Sequence, residues 1–155
     1  MAGVLGVALN AAEVASGPAV KTILQLRSPS LHTVKILGWG IFFQGTSVTA
    51  DPVLVQPCLQ DGAGTMSALA AGTNLNKLDP SSVALTCTGG HTATVEPTTN
   101  TPLGSFYIHP QSGYEVRYPL GQEPRIFSNS TLGNFGIRVT AATTVDCVCT
   151  IYFEE

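Results

Sequence analysis

The stretch Val145-Asp146-Cys147-Val148-Cys149-Thr150-Ile151-Tyr152-Phe153 puts Val145, Cys147, Cys149, Ile151 and Phe153 on one side of an extended chain. Asp146, Val148, Thr150 and Tyr152 fall on the other side. Strict alternation of this kind is the geometry of a β-strand, in which successive side chains point to opposite faces. Upstream, TVKILGWGIFFQ from Thr33 to Gln44 is apolar on both faces through its centre, which predicts a central strand bent at Gly38 or Gly40. Nowhere does an apolar stripe of helical period run longer than about ten residues.

The same period-two reading predicts further strands at Val20 to Arg27, Val53 to Leu59, Val83 to Thr88, Ser105 to His109, Tyr114 to Tyr118, Pro124 to Phe127 and Phe135 to Val139. Pro52 and Pro57 push the Val53 strand towards a sheet edge, because proline lacks a ladder donor. Thr65 to Ala71, after the Gly-rich turn at Asp61 to Gly64, is read as one short helix capped by Thr65. Asn74 to Thr101 is rich in Thr, Ser, Asn, Pro and Gly and reads as a long loop region around one short strand. The expected fold is all-β, a β-sandwich or jelly roll of about eight short strands. Residues 1–19 are expected to form an extended N-terminal arm and residues 20–155 the β-sandwich domain.

Composition narrows the function. Only 11% of the 155 residues are charged and the formal net charge is −3, with the seven basic residues spread along the chain. That pattern excludes the clustered basic footprint of nucleic-acid binding and the low-hydrophobicity, high-charge signature of disorder. The opening MAGVLGVALNAAEVASGPAV lacks a positive residue before Lys21 and is interrupted by Glu13, so it does not read as a signal peptide. No apolar run approaches the roughly 18 to 20 residues of a membrane span. Cys58, Cys87, Cys147 and Cys149 are too unevenly spaced for a disulfide framework and are read as buried free thiols.

A search for chemistry returns structural readings. His32, His91 and His109 are scattered without metal-ligand spacing, and no G-x-S-x-G elbow or P-loop lysine occurs. Glu96, Glu115 and Glu123 are candidate acid and base residues, although carboxylates in such stretches usually belong to solvated turns. Trp39 with Tyr107, Tyr114, Tyr118 and Tyr152 is a candidate sugar-stacking platform, but the apolar strand around Trp39 favours a core role. No enzyme activity, cofactor or metal is expected.

The phrases Trp39-Gly40-Ile41-Phe42-Phe43-Gln44-Gly45-Thr46-Ser47, Gly64-Thr65-Met66-Ser67-Ala68-Leu69, Tyr107-Ile108-His109-Pro110-Gln111, Tyr118-Pro119-Leu120-Gly121-Gln122-Glu123-Pro124 and Arg138-Val139-Thr140-Ala141 together carry a resemblance. From about Lys21 to Glu155 the chain resembles the capsid decoration, or cement, proteins of tailed bacteriophages. The resemblance implies a trimeric β-sandwich or β-barrel on the exterior of the virion capsid, assembled in the host cytoplasm. It further implies that the protein bridges neighbouring major capsid subunits at local threefold positions and has no catalytic set. The apolar arm adds an expectation of its own, that Val4, Leu5, Val7 and Leu9 dock on a neighbouring subunit while the Asn74 to Thr101 loops make a second contact. Two other readings stand beside this one: a receptor- or carbohydrate-binding sandwich on a phage head or tail, and a self-assembling jelly-roll shell protein.

Overall fold

A computed structural model describes residues 3–10, 14–46, 50–62, 64–128 and 131–155. The strands are β1 (Leu5–Leu9), β2 (Val14–Ser16), β3 (Lys21–Arg27), β4 (Val34–Phe43), β5 (Val53–Asp61), β6 (Thr65–Ala68) and β7 (Leu75–Lys77). They continue as β8 (Thr88–Val95), β9 (Thr99–Pro102), β10 (Phe106–Ile108), β11 (Gly113–Arg117), β12 (Arg125–Ile126), β13 (Asn134–Thr140) and β14 (Val145–Glu154). The described residues form two seven-stranded antiparallel sheets. Sheet A runs β11-β4-β14-β1-β7, with β12 on β4 and β2 on β14. Sheet B runs β10-β5-β13-β3-β8-β6, with β9 on β5.

The architecture is all-β and consistent with a β-sandwich. Alternation aims Ile36, Trp39, Ile41, Cys147, Cys149, Ile151 and Phe153 of sheet A into one apolar core with Ile23, Leu26, Val55, Phe135, Ile137 and Val139 of sheet B. Trp39 is fully buried there, with the Phe106 ring of the opposite sheet edge-on to it at 5.5 Å. All four cysteines are free and buried. Burial raises the pKa of the Cys58, Cys87 and Cys149 thiols, which keeps them protonated small hydrophobes.

Four expectations change. The short helix from Thr65 does not form: Thr65–Ala68 is strand β6, paired antiparallel with β8. A helix of seven residues is marginal in water, whereas this segment pairs with β8 at the edge of sheet B. The arm is not separate either, because β1 lies inside sheet A between β14 and β7, and β2 pairs with the first residues of β14. Asn10 joins the two: its amide donates to the Cys147 carbonyl at 3.0 Å and accepts from the Cys149 N–H, filling the ladder where β1 ends and β2 has not begun. Next, β5 is interior, flanked by β13 on one side and by β10 and β9 on the other. Its Pro57 is tolerated because the backbone there faces the break between β10 and β9, where only Leu103 N–H reaches the Pro57 carbonyl.

The last change concerns Asn74 to Thr101, which holds β7, β8 and β9. β7 and β9 lie at sheet edges and β8 lies between β3 and β6, and all three are short of large apolar residues, so their alternation carries no hydrophobic signal. Conversely, Val83 to Cys87 is not a strand. There the Glu155 carboxylate, in place of a neighbouring strand, accepts the backbone N–H groups of Thr86 and Cys87, each at 3.0 Å.

Three expected outcomes come from this packing. Removing residues 1–9 should abolish the cooperative thermal transition measured by circular dichroism, since β1 is an internal strand and Ala8 is fully buried. Gly6→Val, whose Cβ would overlap the Phe153 ring, should cost about 1–3 kcal/mol by denaturant unfolding. The third concerns pH. Burial pushes the Glu155 carboxyl up, but hydrogen bonds from Thr86 and Cys87 outweigh it and hold the group below its ordinary range. A carboxylate lowered in the folded state contributes fully above its unfolded pKa of about 4.3 and loses that contribution as pH falls through the lower folded value. The Thr86 and Cys87 amide resonances should therefore titrate together below the ordinary carboxylate range, and Glu155→Gln should remove that titration.

Candidate interaction surface

Sheet A presents an outer face made by the alternate residues of its central strands. Leu5, Val7 and Leu9 of β1 stand beside Glu154, Tyr152 and Thr150 of β14. Val148 of β14 is in turn paired with Phe42 of β4. Leu5, Phe42 and Val148 are 43%, 48% and 40% exposed, and Val7, Leu9 and Tyr152 are half-buried. No described strand or loop is paired over this row.

Three glycines shape the face. Gly38 and Gly40 of β4 lie opposite Tyr152 and Thr150, and Gly113 of β11 lies opposite Phe42. With no side chain at Gly38, Arg117 of β11 reaches across β4 and stacks its guanidinium 3.5 Å from the centre of the Tyr152 ring. A Cβ at Gly38 would come within 2.8 Å of Arg117 Cδ. The Phe42 ring folds over Gly113, where any side chain would collide with it. A cation–π contact at this exposure contributes about 0.5–1 kcal/mol and flattens Arg117 along the sheet.

Two ion pairs lie on this face: Arg117 also bonds Glu115 at 2.9 Å, and Lys35 bonds Glu154 at 2.9 Å. The face thus interleaves apolar side chains with these pairs, and Asp146 stands exposed beyond Val148.

Of the four residues expected to meet a neighbour, Leu5, Val7 and Leu9 are brought together on this outward row. Val4 turns the other way, is 9% exposed, and exchanges backbone hydrogen bonds with Glu155. The sequence reading did not single out Phe42, Val148 or Arg117 as contact residues. The available signal is the two-sided apolar character of the Thr33 to Gln44 run, which by itself suits burial on both faces. One face is in fact open.

The candidate acids do not converge. Glu115 pairs with Arg117 on sheet A, and Glu123 accepts the Gly121 N–H at 2.7 Å within a turn. Glu96 sits on sheet B, where it accepts Thr22 N–H and Thr22 Oγ1–H at 2.7 and 2.6 Å. That donor is available because the β3–β13 register slips beside Thr22, between Ile137 and Arg138. Around it, Gln60 donates to Thr22 Oγ1 at 3.0 Å and to Asn100 at 2.7 Å, and accepts from Gln25 at 2.8 Å. Thr22, Gln25 and Gln60 are fully buried. The arrangement is an amide and hydroxyl network that fastens β9 and the Glu96 turn onto sheet B, with a single carboxylate and no second acid.

Among the described residues no group of three or more His, Cys, Asp or Glu is placed to hold a metal ion. His91 Nδ1 lies 2.9 Å from Thr92 Oγ1, and His109 Nδ1 accepts the Gln111 N–H at 3.1 Å. Trp39 is in the core and Tyr107 is 75% exposed on β10, so the five aromatic residues do not form one platform. No described helix is long and apolar enough to cross a membrane.

Removing the Glu96 clasp should cost stability, because Thr22 N–H is left buried without a partner. Glu96→Ala should lower unfolding free energy by about 1–3 kcal/mol, read from urea denaturation, while Glu123→Ala in its exposed turn should stay within about 0.5 kcal/mol of the parent protein.

No family model, curated protein or solved structure matches this chain.

Proposed function

We propose that the chain is a structural virion protein that decorates and stabilises a phage capsid by bridging major capsid subunits. The observation that carries this reading is the open outer face of sheet A, where Leu5, Val7, Leu9, Phe42, Val148 and Tyr152 form one apolar patch between paired charges. An exposed patch of this kind, rimmed by polar groups, is a mark of a protein contact surface. The resemblance carried by the strand and turn phrases supplies the kind of partner.

Magnitudes favour several copies acting together. Four rises of about 3.3 Å along β14 and three strand spacings of about 4.8 Å across the sheet give a flat footprint of roughly 200 Å². Stable interfaces bury about 800 Å² per partner, so one patch alone makes a weak contact. A homotrimer presenting three patches to a repeating shell converts weak contacts into a firm one through effective concentration. Apolar burial also makes the attachment less dependent on salt than binding to nucleic acid.

The test is cosedimentation of the purified protein with empty phage capsids stripped of decoration. The parent protein should saturate the shells at low and high salt. The Phe42→Asp and Val148→Asp variants, on exposed positions, should keep their thermal midpoint and lose occupancy. Full occupancy by the double variant would overturn the assignment of this face. Closed particles formed by the chain alone would overturn the decoration role in favour of a self-assembling shell protein.

A further inference from the structure

The edge of sheet A beyond β7 holds a feature separate from the apolar face. β7 pairs with β1 on one side only. The bonds Leu9 N–H to Asn74 O and Leu78 N–H to Leu5 O show that residues 74, 76 and 78 direct their backbone groups towards β1. Alternation then turns Leu75 and Lys77 outward. The outward groups of Leu75 are taken by the Ala70–Gly72 turn, which leaves those of Lys77 at the free edge.

After β7 the chain reverses through a turn at Asp79, where Ser81 N–H and Ser81 Oγ–H donate to the Asp79 carboxylate at 2.9 and 2.7 Å. Lys77 Nζ secures the reversal by donating to the Pro80 and Ser82 carbonyls at 3.1 and 2.6 Å. The returning residues Val83, Ala84 and Leu85 make no backbone hydrogen bond among the described residues. They are not folded back onto β7. A slot of about 330 Å³ separates the two segments, and Leu75, Ala71, Pro80, Ala84 and Leu85 give it apolar walls. Its far end is fixed where Glu155 grips Thr86 and Cys87.

We propose that this slot receives an extended peptide segment of the shell subunit by strand addition, pairing with the Lys77 edge of β7 and the backbone of Val83 to Leu85. The chemistry selects this occupant. Backbone groups left unpaired on an edge strand and on the segment that returns beside it are met most fully by another backbone, and the apolar walls accept small or β-branched side chains. A compact polar ligand would leave those walls uncovered. The slot is continuous with the outer face through the Asn76 and Val7 pair, so a subunit seated on that face has the slot within reach of an extended arm. The identity of the donor as a shell subunit rests on the function proposed above; recognition of an extended backbone does not.

The probe is the blocked peptide acetyl-Lys-Val-Thr-Val-Thr-Lys-amide, titrated into the full-length protein and followed by amide resonances and hydrogen exchange. Shifts and slowed exchange confined to Leu75–Lys77 and Val83–Leu85, lost in Ala84→Phe, are the expected result. Ala71→Phe fills the slot from its opposite wall and serves where Ala84→Phe disturbs folding. Absence of any change at millimolar peptide, or changes that persist in both filled variants, would overturn the proposal. Protection of the same amides in the protein alone, rising with its concentration, would overturn it in favour of a second copy as occupant. Loss of shell binding in Phe42→Asp with peptide binding intact separates the two proposals, since the first concerns the face and the second the slot.

Discussion

The pairing of β4 with β14 is the interaction on which the rest of the structure hangs. These are the two ten-residue strands of sheet A, and their inward residues Ile36, Trp39, Ile41, Cys147, Cys149, Ile151 and Phe153 are essentially removed from water. Fully burying side chains of this size contributes about 1.5–3 kcal/mol each relative to exposure, so the pair supplies a large share of the drive to close the sandwich. Every other strand of sheet A pairs with one of these two or, in the case of β7, with β1, which itself rides on β14. The register slip at Leu37, between the Tyr152–Gly38 and Phe153–Ile36 pairs, keeps the inward residues aimed at the core on both sides of the irregularity.

That same pairing creates the outer face. A strand that buries one set of alternate residues must display the other, and in β4 and β14 the displayed set is Phe42, Gly40, Gly38, Val148, Thr150 and Tyr152. Glycine at 38 and 113 lets Arg117 and Phe42 lie flat across the sheet, so the surface is low and broad instead of studded. Sheet B solves its corresponding problem differently. Its outer residues Thr22, Gln25 and Gln60 are polar, fully buried and hydrogen-bonded to one another, to Glu96 and to Asn100, which closes that side with the chain's own turns. One outer face is thus closed in part by the chain's own turns, while the Leu5, Phe42 and Val148 row of the other is exposed.

Legibility followed the hydrophobic signal. β3, β4, β5, β13 and β14 were readable because burial on at least one face imposes alternation, and their observed bounds lie within two residues of those read from the pattern. β6, β7 and β9 were not, since strands that bury little have no reason to alternate. Val83 to Thr88 looked like a strand by composition, yet its partner is a glutamate side chain from a residue far along the chain, which no local pattern encodes. Of the candidate contact residues, Leu5, Val7 and Leu9 are visible as an apolar run, whereas Phe42 is hidden inside a stretch apolar on both faces and Val148 is a single apolar residue among Asp146, Thr150 and Tyr152 on the outward side of its strand.

The amino-acid sequence by itself determined that the chain is built mainly of β-strands, that its charge is sparse, and which residues of the long strands face the core. These are properties of period and composition, which local geometry enforces. Only the tertiary structure decided that residues 5–9 are an internal strand, that Glu96 is a clasp and not an acid of a pair, and that one sheet is covered while the other is bare. Each of those depends on which segment comes to lie against which, and pairing partners separated by more than a hundred residues, such as Leu5 and Glu154, are chosen by the closing of the whole sandwich.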